Sequence, residues 1–197
     1  MITSTTTVAR SVVFAAVLGS GLVAGAANAA SAEAPVPAAA AAAPVATSAK
    51  WQEQTVKFTY DGITTLYTCD GLEDKVREIL LHFGARKDVK VRATGCERGS
   101  NLPGRFAWVE ATYSALMPTT DSAGAVKGEW SPLVLSPSRP MFMGAGECEL
   151  VDQMRDVLSK GFTLRGVQYR ASCVPHSVSP GSYAVSAEVL KVDAHAQ

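Results

Sequence analysis

This sequence has no excess of charge of either sign. It contains 18 basic and 18 acidic side chains, a formal net charge of zero, and no long run of like charges. A balanced chain creates no strong electrostatic field that would attract nucleic acid or an anionic membrane surface. We therefore expect neither of these as a partner.

Common catalytic and metal-binding signatures are also missing. There is no HExxH motif, no GxSxG motif and no glycine-rich phosphate-binding loop. The only histidines are His82, His176 and His195, and the cysteines lack the close spacing that is typical of zinc sites. The sequence therefore predicts no metal and no cofactor, and it favours a protein that is not an enzyme.

A hydrophobic run long enough to span a bilayer is missing too. The apolar stretch at residues 11–26 is interrupted by glycines, and a membrane span needs roughly 20 apolar residues. The small-x-small pattern Ala27-Asn28-Ala29 follows it and is typical of a bacterial signal peptidase site. We expect residues 1–29 to be a cleaved signal peptide, and the mature protein to be periplasmic or secreted without stable membrane insertion.

The chain does contain an internal repeat. Trp51 precedes Cys69 by the same number of residues as Trp130 precedes Cys148. Similar blocks follow each cysteine and end at Cys96 and at Cys173. The aligned pairs include Leu72 with Leu150, Asp74 with Asp152, Arg77 with Arg155, Leu80 with Leu158, Val91 with Tyr169 and Arg92 with Arg170.

These matches predict a duplicated protein. Residues 51–117 form the first expected repeat and residues 130–193 the second, with an inter-repeat linker at residues 118–129. The stretch of residues 30–50 is rich in alanine and proline, which is typical of a flexible linker. Residues 194–197 are expected to be a disordered tail.

Each repeat is predicted to fold as β(β)αββ. Apolar residues after Cys69 and Cys148 recur at helical spacing, and the blocks that end at the second cysteines alternate with a period of two, as strands do. Asp61-Gly62 is a hairpin signal, and a further strand is expected at residues 141–143. The expected fold class is α+β, an antiparallel sheet with one helix per repeat on one face.

The cysteines are expected to form one disulfide within each repeat. The predicted helix after Cys69 is roughly 20 Å long at about 1.5 Å per residue, and the following strand returns over about the same length. This brings Cys96 back beside Cys69 and, in the second repeat, Cys173 back beside Cys148. Two disulfides require an oxidising compartment, in agreement with the signal peptide.

The candidate binding residues are Lys90, Arg92, Gln168 and Arg170, which recur on the strand face opposite the buried valines. They would form a polar stripe if the sheet leaves that face uncovered; the alternative is that they make structural ion pairs. Tryptophans are a second lead, because Trp51, Trp108 and Trp130 either stack on sugars or a partner, or pack in the core.

Three functions remain open from the sequence. The first is an exported non-catalytic envelope protein that binds an envelope protein or a cell-wall component. The second is an inhibitor or assembly factor for a protein partner. The third is an enzyme of unrecognised type with a site between the repeats, near Glu110, Asp152 or His176. The identity of the ligand is not encoded in any recognisable motif.

Overall fold

Two helices and eight strands make up the part of the chain that the structure, a computed structural model, describes: residues 46–98, 102–173 and 182–192. The predicted signal peptide and the tail at residues 194–197 lie outside these ranges. The elements are β1 (Thr47–Asp61), α1 (Cys69–His82), β2 (Lys90–Thr94), β3 (Glu97–Arg98), β4 (Leu102–Pro103), β5 (Phe106–Pro118), β6 (Val126–Leu135), a 3-10 turn (Ala145–Glu147), α2 (Cys148–Gly161), β7 (Leu164–Ala171) and β8 (Tyr183–Val192).

Six of the strands form one antiparallel sheet in the order β2-β5-β1-β6-β8-β7. Strands β3 and β4 form a separate two-stranded sheet. The protein is therefore α+β, as the sequence predicts. Neither helix in the described ranges is long and apolar enough to cross a membrane.

The helices form where the apolar periodicity predicts them. In α1 the Thr68 side chain accepts a hydrogen bond from the Gly71 N–H, which satisfies one free donor of the first turn. Gly84 follows the helix at φ 95°, a conformation that favours glycine. Both helices bury one apolar stripe, made of Leu72, Val76, Ile79 and Leu80 in α1 and of Leu150, Val151, Met154 and Leu158 in α2.

The sheet has one covered and one uncovered face. Along β5, Val109, Ala111 and Tyr113 are buried in the same core as the helix stripes. The alternate residues Trp108 and Glu110 are exposed. Because side chains alternate along a strand, the helices cover one face, and no element in the described ranges covers the other around these two residues.

The two halves of the sheet have the same strand order and register. In the first half (β1, α1, β2 and β5), Val56 is opposite Ala111, which is opposite Val91. In the second half (β6, α2, β7 and β8), Leu135 is opposite Val185, which is opposite Tyr169. In the part of the chain that the structure describes, the halves join through three residue pairs, where residues 47–49 of β1 lie beside residues 126–128 of β6.

Two disulfides connect the first turn of each helix to the segment after the following strand. Cys69 is bonded to Cys96 and Cys148 to Cys173, the pairs expected from the sequence, with Cα atoms 5.2 and 5.6 Å apart. Two such bonds indicate an oxidising, non-cytoplasmic environment.

The hairpin predicted at Asp61-Gly62 is not formed. The partner of β1 is β5, and the chain after Gly62 runs through residues 62–67 without forming a strand. Turn chemistry alone did not decide this, because α2 accepts from the Asp61, Ile63 and Thr64 N–H groups and the Gly62 N–H donates to the Arg105 carbonyl. Residues 141–143 are not a strand either. Two linker boundaries also differ, since β1 begins at Thr47 and β6 at Val126.

Helix α2 ties the second half to the first. The Gln153 side chain accepts from the Asp61 N–H and donates to the Asp61 carbonyl, each at 2.8 Å. The Glu149 carboxylate, only 8% exposed, accepts from the backbone N–H groups of Ile63 at 2.8 Å and Thr64 at 3.0 Å. Gln153 follows Glu149 by four positions, so both project from the same side of the helix.

Candidate binding surfaces

Trp108 lies in the middle of the uncovered face of the first half. Its side chain is 70% exposed, although tryptophan is usually largely buried. Its cross-strand neighbours are Thr59 on β1 and Thr94 on β2. In the next row, Glu110 lies between Lys57 and Arg92. We call these six residues the Trp108 surface.

Charges on the Trp108 surface are only partly compensated. Lys57 Nζ is 3.2 Å from Glu110 Oε2, which neutralises the one acidic group. Arg92 and the neighbouring Lys90 form no ion pair within the described ranges. A depression of about 260 Å³ lies between Trp108, Arg92 and Lys57. The surface therefore offers an aromatic ring, a cationic edge and hydroxyl groups.

The four candidate residues from the sequence are exposed on the same sheet face but do not meet. Lys90 and Arg92 lie on β2, and Gln168 and Arg170 on β7. These strands are the two edges of the sheet, with four strands between them. The residues thus form two separate pairs, and of the four only Arg92 lines the depression beside Trp108.

The other two tryptophans are partly buried where the halves join. Trp51 and Trp130 pack with Ala49, Leu116 and Leu190 in a small second cluster. Each ring is also covered by a guanidinium group, Arg86 at 5.9 Å from the Trp51 centroid and Arg165 at 3.5 Å from the Trp130 centroid. These two rings contribute to packing, so Trp108 is the exposed tryptophan of the three.

A second concave surface lies between α2 and the edge strand β7. This α2–β7 groove has a volume of about 210 Å³ and is mostly apolar, with Val151, Leu158 and Val167 in its lining. Arg155 lies at its rim and over the Tyr169 ring, at 5.5 Å from the centroid. The Tyr169 hydroxyl donates to Asp152 at 2.7 Å.

The residues proposed for an enzyme do not form a site in the described ranges. Glu110 lies on the uncovered face and Asp152 on α2, which packs against the covered face. His176 lies outside the described residues. His82 Nε2 is 3.0 Å from the Val134 carbonyl, and burial lowers the pKa of its imidazole. Within the described ranges, no group of histidines, cysteines and carboxylates is arranged to hold a metal ion.

The sequence indicated part of these surfaces and missed the rest. Trp108 and Arg92 were both candidates, but their proximity depends on β5 pairing with β2. The sequence indicates the α2–β7 groove only weakly, because the second helix has Val151 where the aligned first helix has Glu73.

Comparisons with protein families, with curated proteins and with solved structures find no match. The functional interpretation therefore depends on the surfaces themselves.

Proposed function

We propose that this is an exported, non-catalytic binding protein of the bacterial envelope, and that the Trp108 surface binds a cell-wall glycan. The observation that carries the proposal is the tryptophan ring, 70% exposed on a sheet face with no covering element in the described ranges. Tryptophan is enriched among the residues that carry most of the binding energy at protein surfaces.

The chemistry of the surface supports a glycan ligand. A flat indole ring offers a stacking surface for the apolar face of a sugar, and Thr59 and Thr94 place hydroxyl groups on either side. Arg92 and Lys90 add positive charge at one edge, which suits the carboxylates of a cell-wall polymer.

Export is supported by two independent features. The sequence of residues 11–29 is typical of a cleaved signal, and two disulfides suit an oxidising compartment. An intact mass that begins at Ala30 in the purified protein is the expected result. Retention of residues 1–29 would contradict this part of the proposal.

A duplication accounts for the likeness of the two halves. Trp51 lies opposite Leu116 and Trp130 opposite Leu190, in the same register relative to the rest of their strands. Each helix also begins at a cysteine bonded beyond the next strand of its half. Relatives that combine one of these halves with an unrelated second half would show that the two halves do not share an ancestor.

The glycan proposal is tested by co-sedimentation with purified peptidoglycan. Trp108→Ala is expected to weaken retention about tenfold or more, as removal of a central aromatic contact does, and Arg92→Ala to weaken it less. Matched controls are Met141→Ala, which removes another exposed apolar side chain, and Arg170→Ala, the aligned arginine on the other edge strand. Equal retention of Trp108→Ala and Met141→Ala would overturn the proposal.

A further inference from the structure

The two edge strands of the sheet differ, although their halves have the same register. In the first half the free edge of β2 is closed by α1, because Glu73 Oε1 accepts from the Ala93 N–H at 2.8 Å. An edge strand otherwise presents such donors to other chains. Val91, which faces α1, is only 8% exposed.

In the second half, no side chain of α2 in the described ranges closes the edge of β7 in this way. The residue aligned with Glu73 is Val151, which cannot accept a hydrogen bond and lines the α2–β7 groove instead. Within the described ranges no side chain accepts from the backbone of β7, and β7 has one neighbouring strand. Val167 in the same strand is 50% exposed.

The side chains beside the groove account for its open shape. Tyr169 occupies the place of Val91, and its hydroxyl donates to Asp152 of α2, so the ring spans the space between strand and helix. Glu149 and Gln153 hold the same helix against the end of β1 in the other half. Helix α2 therefore makes fewer contacts with β7 than the aligned helix makes with β2.

We propose that the β7 edge, with the α2–β7 groove beside it, binds an extended segment of a partner protein by strand addition. In this binding mode the backbone of the added strand pairs with the free edge and alternate side chains enter pockets. This site is separate from the Trp108 surface and does not depend on the proposed glycan binding.

Charge on β7 favours a foreign acidic segment over a second copy of this chain. The strand carries Arg165 and Arg170 and no acidic residue. A second copy paired antiparallel through residues 168–171 would offer Arg170 no acidic partner, because β7 has none. Pairing centred on Arg170 would place the two arginines directly opposite each other, and like charges in that arrangement are destabilising. An acidic residue on the added strand meets Arg170, which has no ion pair in the described ranges.

The geometry also defines the pattern of the segment. Arg170 is on the uncovered face, since it lies opposite Ala184, whereas the groove is on the helix face. Because successive side chains alternate between faces, the acidic residue and the apolar residue that enters the groove must be an odd number of positions apart. A cavity of about 150 Å³ holds a benzene ring, so this groove accepts one side chain of leucine to phenylalanine size. The bulge between Arg165 and Gln168 limits regular pairing to residues 168–171.

Selection from a phage-displayed library of random nine-residue peptides against the mature protein tests this. The expected result is enrichment of peptides with an acidic and a large apolar residue at odd separation. Arg170→Glu should weaken the affinity for the enriched peptides at least tenfold. It should favour peptides that carry lysine in place of the acidic residue. Two control variants should bind the enriched peptides with unchanged affinity. They are Arg92→Glu, at the aligned position of β2, whose edge α1 closes, and Trp108→Ala.

Three results would overturn the proposal. The first is that the selection enriches no peptides, and the second is that the enriched peptides bind wild type and Arg170→Glu equally. The third is that an enriched peptide shifts amide NMR signals outside β7 and α2. Peptides methylated at alternate backbone nitrogens should not bind if the peptide pairs with β7 as a strand. Unchanged affinity of the methylated peptides would exclude strand pairing. Loss of glycan binding in Trp108→Ala with normal peptide binding separates the two proposals.

Discussion

Two buried tyrosine hydroxyl groups in this core differ in their hydrogen bonding. The Tyr113 hydroxyl is buried beside Gly161 and has no hydrogen-bond partner in the described ranges, and burial raises its pKa to about 12. Tyr60 is equally buried, but its hydroxyl donates to the Thr65 carbonyl at 2.5 Å. The two tyrosines are a matched pair, one unsatisfied and one satisfied.

We predict that Tyr113→Phe raises the free energy of unfolding by about 1 kcal/mol, because it removes an unpaired buried hydroxyl and keeps the ring. The ring still stacks on Phe162, with centroids 5.2 Å apart. Tyr60→Phe, the control, should lower the free energy of unfolding by about the same amount. Urea unfolding followed by circular dichroism measures both, and a loss of stability in Tyr113→Phe would show that the hydroxyl is bonded.

Helix α2 determines the connection between the halves. Its residues Glu149 and Gln153 replace the hairpin partner that the sequence suggested for the segment after Asp61. A carboxylate that accepts several hydrogen bonds in a buried place is costly to remove, because its donors stay buried and unpaired. In the described ranges, helix α1 contacts the second half through fewer backbone groups: Lys75 Nζ donates to the Phe142 carbonyl at 2.5 Å, and His82 Nε2 is 3.0 Å from the Val134 carbonyl.

Glu149→Ala is expected to lower the free energy of unfolding by about 2–3 kcal/mol, since it removes the carboxylate that accepts from the Ile63 and Thr64 N–H groups. Glu78→Ala on α1 is the matched control. It removes a carboxylate whose ion pair with Lys75, at 3.3 Å, is partly exposed, and such pairs contribute about 0–1 kcal/mol. Equal losses in the two variants, measured by thermal and urea unfolding, would show that the Glu149 contacts are weak.

Both halves contribute to the main core of the described residues. Tyr113 of the first half stacks on Phe162 beside α2 of the second, and Thr163 Oγ1 donates to the Leu116 carbonyl at 3.0 Å. Among the described residues, the sheet is continuous between the halves through three residue pairs of β1 and β6. Each half alone would expose the apolar surface that the other covers, and small domains have little stability to lose.

We therefore predict that residues 46–118 and residues 119–193, expressed separately and oxidised, do not fold. Each fragment should lack near-ultraviolet circular dichroism and dispersed amide NMR signals, and mixing the two should restore both. The intact mature chain is the control. A dispersed spectrum from either fragment alone would show that the disulfide and the local core of one half suffice.

The sequence by itself determined the parts of this protein that depend on local pattern. Apolar spacing placed both helices, alternation placed β2 and β7, and the repeat predicted which cysteines pair, because a helix and the strand that returns along it have fixed lengths. Only the tertiary structure decided which strands are neighbours. It separated Arg92 from Arg170 at opposite edges, placed Trp108 beside Arg92, and replaced a hairpin at Asp61 with contacts from α2. Strand pairing and helix docking join residues far apart in the chain, and their free energy depends on burial and satisfied hydrogen bonds that no local pattern records.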